Sequence, residues 1–295
     1  MGRVLPILFN TDMVRAILRE VSPKTVTRRI AKEVVPYSEH GDFTTMINGE
    51  WTGPISMENL IKLKSKYQPG DILYVRETWC WEPCWDCGMD TEEHNCCDEH
   101  AHKIYRCDNR EYGCYGYKAS FDDNVYPSVD VWHPSIHMPK AIARIWLKVT
   151  DVRVERLQDI TEEEANREGI MKGHDDYSGR DYWYYKEGQD YLTGEVWTDG
   201  ARQCFLWGLW DSTIKKLDLA IYGWDANPYV FVTEFERCEK PEPCIIAGME
   251  PAEDKRPCIG YGRAEDDDEP CEMCKKCEIC SGNDAFEQSE KTEGE

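Results

Sequence analysis

The stretch Ser22-Pro23-Lys24-Thr25-Val26-Thr27-Arg28-Arg29 sets three cations around two threonine hydroxyls in a chain whose formal net charge is -22. Lys24, Arg28 and Arg29 suit gripping an anion such as a phosphate, or pairing with carboxylates brought from elsewhere in the fold. A second chemistry lies in the cysteines. Fourteen of the fifteen fall in two windows, 80–114 and 238–280, with Cys204 alone between them. In a reducing cytosol such clustering suits a coordination sphere better than a disulfide framework. In the first window Cys84-Trp85-Asp86-Cys87 has the spacing of a zinc knuckle, and Cys107 and Cys114 complete a tetrahedral set, with Cys96 or Cys97 as substitutes. In the second, Cys271, Cys274, Cys277 and Cys280 recur every third residue, which suits zinc, with an iron–sulfur cluster or a metal-free thiol tail as alternatives. The expected cofactor is zinc, as a structural clip.

These side chains need elements to position them. Residues 10–21 are predicted to be helical: Asn10 or Thr11 can cap, and Val14, Ile17, Leu18 and Val21 recur at i, i+3, i+4, i+7. Pro23 ends the helix, and β-branched Thr25-Val26-Thr27 enters a strand, so the basic run starts at a helix-to-strand corner facing a cleft. Gln68-Pro69-Gly70-Asp71 turns into a strand over residues 72–79. That strand carries Arg76 and Glu77, either a cation and a carboxylate for the cleft or a strand-end ion pair. Residues 141–155 alternate as a strand does, and Thr161 and Glu164 have capping-box spacing with Gly169 as the stop, which puts Glu168 on the last helical turn. Residues 171–200 hold many aromatics without a period and predict a long loop that stacks bases or covers a core edge. A helix is expected over 204–217 and a closing strand over 229–236. The order predicts α+β with a small mixed or barrel-like sheet. No phosphate loop or dinucleotide fingerprint is present.

Hydrophobic residues at 41% are enough for a packed core. Charge is uneven along the chain: residues 239–295 carry net -10 and residues 81–132 net -8, whereas residues 1–33 carry net +4. Tight non-specific binding to duplex DNA is disfavoured, because phosphate neutralisation drives it, yet a small basic pocket for one nucleotide is compatible with this balance. The initial apolar patch is shorter than a signal peptide's core, and no run reaches membrane-spanning length. The expected location is the cytoplasm, with no membrane partner.

Several motifs in order, Pro23-Lys24-Thr25-Val26-Thr27-Arg28-Arg29, Pro69-Gly70-Asp71-Ile72-Leu73-Tyr74-Val75-Arg76-Glu77-Thr78-Trp79, Pro134-Ser135-Ile136-His137-Met138-Pro139, Glu168-Gly169-Ile170 and Asn227-Pro228-Tyr229-Val230, resemble the ASCH family of the PUA-like superfamily in its phage and prophage members. The resemblance spans residues 1–237, with a cysteine-rich insertion over 80–132 and the aromatic loop over 171–200; the acidic cysteine-rich tail, 238–295, lies outside it. It implies a small PUA-like β-barrel with flanking helices and a cleft that binds RNA or a modified nucleobase; Arg28, Arg29, Arg76 and Glu77 are the residues expected to make that cleft's nucleotide contacts by their own charge and placement. One bacterial branch of the family hydrolyses the acetyl amide of N4-acetylcytidine. Its catalytic lysine, threonine and glutamate match Lys24, Thr27 and Glu168, which implies an amidohydrolase as the alternative, with no cofactor needed. Thr27 would attack or orient a water, Lys24 would act as base and Glu168 as proton donor. A lysine base must be neutral while an ionised Glu168 holds it charged, so the two must share a proton or sit apart. A third alternative is a phage accessory protein that binds a host protein through insertion and tail.

Overall fold

The computed structural model describes residues 2–37, 42–83, 104–106, 111–121, 131–186, 188–192 and 194–241. The apolar i, i+3, i+4 spacing forms helix α1 (Thr11–Leu18), which follows strand β1 (Val4–Leu8). Asn10 is the cap and accepts the Met13 N–H at 2.8 Å, while Val14 and Ile17 are fully buried. The helix ends before the predicted limit and leaves Val21 80% exposed, because the chain reverses there. Ser22 takes a φ of 50°, and the Lys24 N–H bonds the Ala16 carbonyl at 2.9 Å, so Lys24 lies back along the helix just left.

Next come β2 (Val26–Ile30), β3 (Val34–Pro36), β4 (Phe43–Ile47), β5 (Glu50–Trp51), helix α2 (Met57–Lys64) and β6 (Ile72–Arg76). Strands β7 (Trp79–Pro83), β8 (Ile104–Arg106) and β9 (Glu111–Tyr117) make their own antiparallel sheet in the order β7-β9-β8. The chain continues with β10 (Trp146–Arg156), helix α3 (Glu162–Arg167), β11 (Met171–Asp175), β12 (Arg180–Tyr184) and β13 (Tyr229–Cys238).

The main sheet has five strands in the order β1-β6-β10-β13-β2. β10 and β13 pair antiparallel, with a bulge between Val149 and Asp151 that moves the buried parity from Leu147 and Val149 to Val152 and Val154. β13 then pairs β2, with Thr233 opposite Thr27 and Val232 opposite Arg28. The fold is α+β, and the described strands leave this sheet open between β1 and β2. The free edge of β1 is covered by side chains: the Tyr67 hydroxyl donates to the Pro6 carbonyl at 2.9 Å, and Arg29 Nη2 to the Leu8 carbonyl at 3.0 Å.

Two segments differ from expectation. Residues 171–200, predicted to be a loop, contain the β11–β12 hairpin, in which Gly173 faces Tyr182. A Cβ on Gly173 would lie 2.3 Å from the Tyr182 ring, so glycine makes room for the cross-strand aromatic. The predicted helix over 204–217 is a π-helical segment, Cys204–Trp210, followed by one turn, Asp211–Thr213, and Leu217 is exposed. All of Cys204–Trp210 is buried except Trp207, a pattern no single 3.6-period stripe describes. The chain divides into two compact units. The first is Met1–Tyr74 with Ile145–Glu239; the second starts at Val75 and includes the described residues up to Arg144, wider than the predicted insertion. Among the described residues no helix is long and apolar enough to cross a membrane.

Candidate active site

Helix α3 carries the carboxylates that meet the basic run. Its capping box forms as the sequence predicts: the Thr161 hydroxyl accepts the Glu164 N–H, and Glu164 Oε2 accepts the Thr161 N–H at 3.1 Å. Glu168 is the C-cap, and Gly169 follows with a φ of 107°. A Cβ at Gly169 would lie 2.9 Å from the Ala16 Cβ and 3.6 Å from the Lys24 Cβ, so only glycine lets the end of α3 settle against α1 and Lys24. Arg19 Nη1 ties the corner by donating to the Gly169 carbonyl at 2.9 Å.

The Lys24 side chain has no exposed surface, and its Nζ donates to the Glu168 carbonyl at 2.8 Å and to Glu168 Oε2 at 2.5 Å. Arg28, whose side chain is equally enclosed, places Nη1 on the other oxygen, Oε1, at 3.0 Å. The two oxygens of one carboxylate are thus divided between two cations. Arg28 also donates from Nε and Nη2 to Glu155 Oε1 at 3.1 and 2.6 Å, approaches Glu164 Oε2 at 3.1 Å, and lies over the Phe205 ring. Arg153 joins Glu155 at 3.0 Å, Glu234 at 2.5 Å and Glu164, with Asp151 at the exposed rim. Arg167 donates to Glu234 Oε2 at 2.6 Å and to Thr25 Oγ1 at 3.2 Å. Around the enclosed part, Lys24, Arg28, Arg153 and Arg167 are matched by Glu155, Glu164, Glu168 and Glu234, so the cluster balances its own charge.

Burial pushes the Lys24 ammonium below the ordinary lysine range; the Glu168 charge opposes this, and the charges of Arg28 and Arg29 add to it. For Glu164 burial acts upward, but the Thr161 N–H, Arg28 and Arg153 hold it below the usual carboxylate range. Glu234 is held low chiefly by its bond from Arg167, against burial and with help from Arg153. A lysine displaced toward neutrality, in contact with a single carboxylate oxygen, is suited to sharing and moving a proton.

Of the residues singled out in the sequence, the structure gathers Lys24, Arg28 and Glu168. Thr27 is buried on β2, but strand alternation turns it to the face opposite Arg28, and no hydrogen bond joins its hydroxyl to Lys24 or Glu168. Arg29 is exposed and occupied with the Leu8 carbonyl, its guanidinium 6.0 Å from the Phe9 ring centre. Arg76 ends β6 and, like Glu77, belongs to the second unit. There buried Glu77 accepts Arg144 Nε and Nη2, both at 2.9 Å, while Arg144 lies 4.2 Å over Tyr117 and donates to Ser120 Oγ at 2.6 Å. The predicted metal ligands Cys84, Cys87, Cys107, Cys271, Cys274, Cys277 and Cys280 lie outside the described residues, as does the side chain of Cys114 on β9. Among the described residues no group of three His, Cys, Asp or Glu is arranged to hold a metal ion.

Sequence reading missed Glu155, Arg153, Arg167 and Glu234 and took Glu164 only as a cap. The available signal was short-range: Arg153 and Glu155 share a face of β10 at i, i+2, and Arg167 follows Glu164 by one helical turn. Comparison with protein-family models, with curated proteins and with solved structures gives no match. What fold and site define is an α+β protein with an enclosed lysine–glutamate couple inside a charge-balanced ion cluster.

Proposed function

We propose that the chain is an ASCH-type, PUA-like protein that takes a modified nucleobase at the Lys24–Glu168 couple and hydrolyses the N4-acyl amide of cytidine. The observation that carries this reading is the 2.5 Å contact between a fully enclosed lysine and one carboxylate oxygen. Gripping a phosphate would need uncommitted cations, and Arg28 is distributed over Glu155, Glu164 and Glu168. Proton transfer needs the opposite arrangement, a desolvated base next to its acid.

With the shared proton on Glu168, the Lys24 amine takes a proton from a water as that water's oxygen bonds the acyl carbon. The C–N bond breaks as the Glu168 acid protonates the leaving nitrogen. One water is consumed, and cytidine and the carboxylate are released. Because neither Lys24 nor Glu168 is exposed, substrate entry displaces the side chains that cover them.

The test is incubation of the folded protein with N4-acetylcytidine, followed by measurement of cytidine and acetate. Release is expected, with a loss of about 10²–10⁴-fold in Lys24→Ala. No turnover by folded wild type overturns the proposal. A second reading, binding of RNA or a modified base without turnover, is favoured by one observation, the exposure of Arg29 on β2.

A further inference from the structure

We infer that Arg28 is a positioning residue for this reaction: by holding Glu168 Oε1, and being itself held by Glu155 and Glu164, it leaves Oε2 as the oxygen that exchanges a proton with Lys24. The kinetic consequence rests on the proposed hydrolysis; the geometry does not. A glutamate carboxylate is symmetric until its partners distinguish the oxygens. Here the distinction comes from one planar guanidinium whose Nη1 takes Oε1 at 3.0 Å while Nε and Nη2 are fixed on Glu155 and Nη2 also meets Glu164. A lysine ammonium at this position has no such fork and cannot fix three carboxylates in one plane.

The charged groups facing the couple are known from each packed element. Arg28 and Arg29 come from β2, Glu168 and Glu164 from α3 and its cap, Glu155 from β10, with Arg153 behind Glu155 and Glu164, and Arg19 from the end of α1, on the Gly169 carbonyl. Arg28 therefore acts on Lys24 in two ways. It orients the shared carboxylate, and its charge disfavours a second proton-bearing cation beside it. Glu155 opposes the second effect. Removing Arg28 and removing the charge of Glu155 should move Lys24 in opposite directions, which general damage to the fold would not do.

The experiment uses the full-length protein with ¹³C-labelled lysine, the Lys24 ε-carbon signal being assigned by its absence in Lys24→Met. Arg28→Met should raise the Lys24 titration midpoint by roughly one unit, and Glu155→Gln should lower it. Arg28→Lys should stay near the wild-type midpoint while kcat for N4-acetylcytidine falls about tenfold at unchanged KM, since charge is kept and orientation lost. The limb of the kcat/KM profile at which the couple loses its shared proton should follow the midpoint, upward in Arg28→Met and downward in Glu155→Gln. If Arg28→Met does not fold, Glu155→Gln and Arg28→Lys still decide. Midpoints that stay fixed, or move the same way in Arg28→Met and Glu155→Gln, overturn the inference. If wild type shows no turnover while the midpoints move as stated, the hydrolysis reading falls and the placement of Arg28 on the couple stands; turnover with unmoved midpoints and limbs removes Arg28 alone.

Discussion

Lys24 has a thermodynamic signature independent of any substrate. Its ammonium is displaced downward in the folded protein, so between that lowered value and the ordinary 10.5 the unfolded chain binds more protons than the native one. Stability contributed by this residue therefore rises with pH across that window, and the rise is absent in Lys24→Met. Urea unfolding of both proteins at several pH values up to 10.5 checks the sign; parallel curves would mean that Lys24 is not displaced. Thr27 is distinguished by a different pair of substitutions. If its oxygen attacks, Thr27→Ser keeps turnover and Thr27→Val loses it, whereas a threonine that only fills space beside Thr233 tolerates valine in the same assay. Motif resemblance singled out Lys24, Thr27 and Glu168, and of these the structure joins Lys24 and Glu168. Glu155, which also holds Arg28, was not singled out, because it lies 127 residues further along the chain and no local spacing reports such a meeting.

At the scale of elements, the seat of α3 depends on Gly169. Gly169→Ala puts a Cβ 2.9 Å from Ala16 at a φ of 107°, and should destabilise the protein by about 1–3 kcal/mol in a denaturant titration; an unchanged midpoint would show that α1 and α3 move apart freely. Glu234, which joins β13 to Arg153 and Arg167, makes a prediction of opposite pH sense to Lys24. Its carboxylate is held low, so its contribution is present above the ordinary range and lost as pH falls through the lowered value; Glu234→Gln should flatten acid unfolding. Cap and turn chemistry made α1, α3, β2, β10 and β13 readable. The β11–β12 hairpin was not, because aromatics stand on both of its faces and erase the period of two, and the π-helical Cys204–Trp210 was read as an ordinary helix because its burial is nearly all-round.

For the whole molecule, a net charge of -22 surrounds a site whose cations are already matched, so polyanion binding should be weak and its salt dependence shallow. A steep salt slope with short single-stranded RNA, lost in Arg29→Ala, would favour the binding reading over hydrolysis. In the second unit Glu77 is 1% exposed, and its carboxylate is matched by Arg144. Arg144→Met leaves that charge buried, which costs about 3–5 kcal/mol, and should lower hydrogen-exchange protection in β7 and β9. Arg29 has a separate consequence for handling the protein. Its bond to Leu8 and that of Tyr67 to Pro6 occupy carbonyls on the outer side of β1, the side from which another chain would add itself as a strand. Replacing Arg29 therefore uncovers an adhesive edge, and such a variant should turn turbid in concentrated solution sooner than wild type, so that apparent losses of ligand binding in it must be read against the fraction still dispersed.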